Sequence, residues 1–178
     1  MKAITTIARA IGLLEKMYRL FNERCFNGRL HDCTITIERT KGAYGCYWVH
    51  PQYYINGDKT NWKIALNPEH FYKPVEFVAA VLLHEMCHHA AALDGVQDCS
   101  RGGTYHNKRF KAYAEATGLL NVERDDKYGW TVTAPNDEML LLCAEQDYPE
   151  FQISEKNLLD LSELDSSNYN LIVSFYIR

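Results

Sequence analysis

Val75-Glu76-Phe77-Val78-Ala79-Ala80-Val81-Leu82-Leu83-His84-Glu85-Met86-Cys87-His88 is the stretch on which the reading of this chain turns. It is apolar almost all round and ends in His-Glu-x-x-His. Apolarity on every side predicts a helix buried in the domain, not one lying on its surface. Each helical residue turns about 100°, so side chains four apart stand one above the other. His84 and His88 can then aim two imidazoles at one metal ion, with the Glu85 carboxylate beside them to act on a metal-bound water. Histidines and a glutamate carried into such a core cost free energy unless they are paired or bind metal. Pro74 and Gly95 suit the start and the end of the helix.

Before this helix, Ile4, Ile7, Ala8, Ile11, Leu14, Tyr18, Phe21 and Cys25 recur at steps of three and four, which predicts an amphipathic helix of about six turns ending at Asn27-Gly28. The alternation Cys33-Thr34-Ile35-Thr36-Ile37-Glu38 predicts a strand. A second strand is expected through Ala43–Val49 and a third through Trp62–Leu66, with turn chemistry at Asn56-Gly57-Asp58. After the metal helix comes a polar loop with Arg101-Gly102-Gly103, then a helix over about Asn107–Thr117 capped by Gly118. A short helix near Asp137–Gln146 and a last strand over 170–176 complete the reading. The expected fold class is α+β: an N-terminal helix, a three-stranded antiparallel meander, the metal helix, a third-ligand helix and an acidic C-terminal extension. The expected division is a core over residues 1–120 and an extension over 121–178 packed on it.

Catalytic zinc takes three protein ligands and leaves a position open to water. Two residues compete for the third place. Asp94 lies six residues after His88, where a sharp turn at the third residue of the gap would return the chain to the metal. That turn favours glycine, and Ala91 stands there instead. His106 follows a loop long enough to reverse direction, and it is the favoured ligand. Cys87 is expected to turn away from the histidine pair. His89 is expected on the helix surface or behind the ligands. Tyr44, Tyr47, Trp48 and Trp62 read better as packing residues of the strands than as stacking platforms for bases. Tyr105 is placed by nothing in the sequence.

The 178 residues include six cysteines, none spaced Cys-x-x-Cys, which speaks against a zinc ribbon or a redox motif. The first thirty residues carry charge at helical intervals and lack the uncharged core of a secretory signal, so reduced thiols and a cytoplasmic location are expected. No apolar run is long enough to span a membrane. Residues 1–30 hold six basic and two acidic side chains, whereas residues 119–178 hold four basic and twelve acidic ones. A basic N-terminal face is thus the one candidate for a nucleic-acid partner, and its plainer reading is a solvated helix surface.

The assembled pattern resembles the SprT-like family of zinc metallopeptidases, which includes the Spartan proteases. The resemblance rests on Leu20-Phe21-Asn22-Glu23, Asn27-Gly28-Arg29-Leu30, Thr40-Lys41-Gly42-Ala43-Tyr44-Gly45-Cys46-Tyr47, Leu82–His88, His106-Asn107-Lys108-Arg109-Phe110-Lys111 and Thr117-Gly118, in that order across residues 15–120. It implies a zincin-like core, Zn2+ held by His84, His88 and His106, Glu85 as the base, and a protein or peptide substrate. It also implies DNA as a partner, but this chain lacks the cysteine-rich ribbon many members carry, and its tail is acidic. Other readings are a peptidase that cleaves one repressor-like partner and a metal-stabilised binding module without turnover.

Overall fold

The computed structural model describes residues 3–40, 42–55 and 58–153, with side chains at 54, 55 and 58–60 left aside. The first helix, α1, spans Ile7–Phe26 and buries Leu13, Leu14, Met17, Tyr18 and Phe21 along one face. Thr6 Oγ1 accepts the Arg9 amide at its start, and Asn27 closes it in the left-handed region at φ 56°. Ile4 falls outside the helix its spacing suggested. It forms a parallel bridge with Phe151, its amide donating to Glu150 O at 2.9 Å and its carbonyl accepting from Gln152 N at 2.7 Å.

Three strands follow: β1 Cys33–Ile37, β2 Gly45–Ile55 and β3 Asp58–Leu66. They do not form an antiparallel meander. The order is β1-β3-β2, with β2 antiparallel to β3 and β1 parallel to it. Burial explains the exchange. Ile64, Ala65 and Leu66 are fully buried, as suits a central strand covered on both faces, while β1 is mostly half-buried and takes an edge. The connection from β1 to β2 crosses the end of β3. Asn67, 2 % exposed, holds it there by donating its side-chain amide to Thr40 O and Ala43 O at 3.0 Å each. The expected turn before β3 falls on residues 56–57, outside the described ones, as does the strand expected over 170–176.

The metal helix, α2, spans Val75–Leu93, with fifteen of its nineteen residues buried, so it is the core rather than a cover over one. Pro74 offers no side-chain cap. Glu150 supplies one instead, its Oε2 accepting the Val75 amide at 2.9 Å, a carboxylate at a helix N-terminus. Gly95, at φ 66°, ends the helix.

The second half of the fold holds a sheet that periodicity did not foresee. Its strands are β4 Cys99–Ser100, β5 Tyr105–His106, β6 Leu120–Asp125 and β7 Gly129–Pro135, ordered β4-β5-β7-β6. Helix α3, Lys108–Ala116, is capped by Asn107, and α4, Asp137–Glu145, by Asn136. Helix α2 touches β2 and β3 on one side, β7 on another, and α1, α3 and α4 around them. The architecture is α+β, two mixed sheets about one central helix. Residue 120, where the core was expected to end, opens β6. Among the described residues no helix is long and apolar enough to cross a membrane.

Candidate metal centre

One turn of α2 separates His84 from His88, and β5 brings His106 against them. All three rings are buried. Their Nε2 atoms form a triangle with every side 3.2 Å. Phe110, fully buried on the first turns of α3, backs all three rings at centroid distances of 4.5 Å for His84 and 4.6 Å for His88 and His106. These three histidines can hold a metal ion.

The far side of each ring differs. His84 Nδ1 lies 2.9 Å from Thr133 Oγ1 on β7, and His88 Nδ1 lies 2.5 Å from Asp98 Oδ2 in the loop after α2. His106 Nδ1 is buried with no hydrogen-bond partner; the Tyr128 carbonyl acts on this ring without reaching hydrogen-bond geometry and takes the His106 main-chain amide at 2.8 Å. Burial pushes the pKa of His84 well below the ordinary histidine value, and the neighbouring His88 and His106 push the same way. His106 is lowered by burial and then by His88, with the Tyr128 carbonyl opposing. Both rings therefore stay neutral and keep a lone pair for a metal.

Glu85 is fully buried, and neither carboxylate oxygen has a hydrogen-bond partner. Burial, and then the charge of Asp98, raises its pKa well above the carboxylate range. A buried carboxylate left unpaired is costly, and a cation in the adjoining triangle would supply what it lacks. Its position depends on Gly45 of β2. A β-carbon there would stand 2.8 Å from Glu85 Oε1, so only glycine leaves the carboxylate its room. Gly129 does the same for the third ligand. It pairs with His106 at φ 75°, and a β-carbon on it would lie 2.1 Å from the His106 carbonyl oxygen.

Asp94, the rival ligand, stays outside the triangle. It caps α2 near the surface, held by Arg29 at 2.8 and 2.9 Å and by the Tyr113 hydroxyl at 2.6 Å. The Tyr113 bond, and then Arg29, lowers its pKa. Cys87 is buried and takes no part in the cluster, and none of the six cysteines is in a disulfide. His89 is neither on the surface nor behind the ligands. It is fully buried on the other side of α2, with Nδ1 3.0 Å from the Tyr47 hydroxyl and Nε2 3.2 Å from the His31 carbonyl. A carbonyl can only accept, so Nε2 carries the proton and Nδ1 accepts from Tyr47. Burial lowers the His89 pKa to about 4. Tyr105 packs its ring against the Arg101 guanidinium at 4.5 Å.

Asp98 and Thr133 were not anticipated. Asp98 looked like one more polar residue of a loop. Thr133 sits in Thr131-Val132-Thr133, where two buried threonines in one strand are the only sign that the strand faces polar groups.

Neither a curated protein nor a solved structure matches the sequence. The model of the SprT-like family matches residues 14–127, which takes in most of α1, the first sheet, α2 and every histidine of the triangle. The chain belongs to the SprT-like family.

Proposed function

We propose that this chain is a zinc-dependent endopeptidase in which His84, His88 and His106 hold Zn2+ and Glu85 moves the protons. The observation that carries this reading is the convergence of three buried ring nitrogens, with the buried Glu85 carboxylate on the same turn of α2 and without a hydrogen-bond partner. Nitrogens about 2.0–2.1 Å from a tetrahedral zinc ion stand about 3.3 Å apart. The triangle, at 3.2 Å on each side, fits that ion. No fourth histidine, cysteine or carboxylate among the described residues joins these three in one cluster, and the second candidate group, His88, Asp98 and Cys99, shares only His88 with it. A purely structural zinc site is closed by four, so the three-ligand set favours catalysis over a binding module.

Zinc held there supplies Lewis acidity and brings the pKa of a water toward neutrality. The chain's own residues do the rest. Glu85 accepts the proton of the attacking water and returns it to the departing amine, two transfers that one carboxylate of raised pKa can make in turn. The wall formed by Phe110 keeps the back of the imidazoles dry. The outer edge of β2 carries no strand among the described residues, and Gly45 on that strand adjoins Glu85. An extended peptide pairing along that edge would run past the carboxylate.

Glu85→Gln tests the reading. It should retain zinc, keep the fold and lose cleavage by roughly 10²–10⁴-fold, the span general acid–base groups contribute. Parental cleavage by that variant would remove Glu85 from the mechanism. Proteins held on DNA are a proposed substrate class, with the exposed Arg9, Lys16, Arg19 and Arg24 of α1 as the basic face. Single-stranded DNA should then accelerate cleavage. Rates indifferent to it would favour a single dedicated protein partner.

A further inference from the structure

We infer that Asp98 and Thr133 are positioning residues of the metal centre: they hold the far nitrogens of His88 and His84 and so turn Nε2 of both rings toward the ion. The inference rests on the metal-centre reading above and concerns residues that nothing in that reading assigns. A neutral imidazole carries one proton, and the nitrogen that holds it is set by the bond the other atom makes. The Asp98 carboxylate accepts from His88 Nδ1 at 2.5 Å, which places the proton there and leaves the lone pair on Nε2. Thr133 Oγ1, 2.9 Å from His84 Nδ1, holds the second ring at the same atom and accepts from it when Nε2 faces the ion. With the lone pairs of His84 and His88 turned inward, their Nε2 atoms 3.2 Å apart repel one another until a cation lies between them.

Each residue also joins parts of the chain that are far apart in sequence. Asp98 holds His88 by its side chain, while its main-chain carbonyl accepts from Asn107 N at 3.0 Å. The next residue, Cys99, pairs with His106 across β4 and β5. One short segment thus sets the angle of one ligand and the place of another. Thr133 lies 1 % exposed on β7, past residue 127, where the family match ends. The structure therefore draws one support of the ligand set from a strand outside the matched segment. His106 has no such acceptor, so the three rings are held unequally.

The test measures zinc affinity of the full chain by competition with a chromophoric chelator, which requires no peptidase activity. Thr133→Val keeps the shape and removes the acceptor. Thr133→Ser restores the hydroxyl. Thr133→Val should bind zinc about 10- to 100-fold more weakly, with Thr133→Ser close to the parent. Asp98→Ala should fall in the same range and Asp98→Asn, whose amide oxygen still accepts, should lie between. Melting of the zinc-free proteins separates positioning from packing, because a packing role lowers the melting temperature and leaves the affinity of the folded fraction alone. Parental affinity in both Thr133→Val and Asp98→Ala would overturn the inference, as would a Thr133→Ser protein as weak as Thr133→Val. If Asp98→Ala does not fold, the Thr133 pair decides. A parent that binds no zinc would overturn the metal centre itself and the inference with it.

Discussion

His88 and His89 are neighbours in sequence, and both are buried, yet the two sides of α2 on which they lie have little in common. His89 faces β2 and β3. Its nitrogens are matched, one to the Tyr47 hydroxyl and one to the His31 carbonyl, and its ring lies 5.3 Å from Tyr47 and from Trp62. That side is complete as it stands. On the other side His84, His88 and His106 point like atoms at one another, and between the two sides Glu85, against Gly45 of β2, has no hydrogen-bond partner. Burial does not distinguish the two sides. What distinguishes them is whether the polar atoms already have partners, and a metal centre is the place where they do not.

Breaking the unfinished side should have the largest effect. His106→Ala leaves two ligands and should abolish tight zinc binding, measured as metal retained after dialysis, since structural zinc sites are worth about 10–16 kcal/mol to the chains that hold them. His89→Ala should do the reverse. It should retain zinc at parental affinity but cost roughly 2–5 kcal/mol in denaturant unfolding, from a cavity and from orphaned partners in the core. Zinc loss in that variant would erase the distinction between the sides. Tyr47→Phe is a finer cut. It leaves His89 Nδ1 without its donor and should cost about 1–3 kcal/mol, again with zinc unchanged.

Acid should act on both sides together. For Glu85→Gln without zinc, where the buried acid no longer titrates, melting temperature should fall as pH drops from 7 to 5. The sign follows from linkage. His84, His106 and His89 have folded pKa values below the ordinary value of about 6.5, so below that pH the unfolded chain binds protons that the fold refuses. Each such group costs up to about 1.4 kcal/mol per pH unit. Adding His89→Phe should flatten the dependence by one group's share.

Helices α1 and α2 were legible because helical order is local. Their period appears in α1, and the all-round apolarity of α2 is itself a statement of where it lies. The meeting of His84, His88 and His106 followed from the spacing of the first two and from Ala91, which denies the chain a quick return. Strand pairing is not local. Nothing in Cys33–Ile37 says that its partner is β3 rather than β2, and β4 and β5, two residues each, are too short to show alternation. Asp98 and Thr133 were hidden for the same reason, since they meet their histidines at separations of 10 and 49 residues.

The bridge between Ile4 and Phe151 and the Glu150 carboxylate on the first turn of α2 bear on the order in which this protein is made. A chain synthesised from its N-terminus folds as its parts emerge. The three histidines are complete when residue 106 appears, but Thr133 and Glu150 are still to come. The nascent protein passes through a stage at which it owns all three histidines and lacks the strand that steadies one and the cap that starts the helix of two. Assembly of the histidine cluster and closure of the described fold are therefore separable in time, with residues 133–151 acting as the clasp.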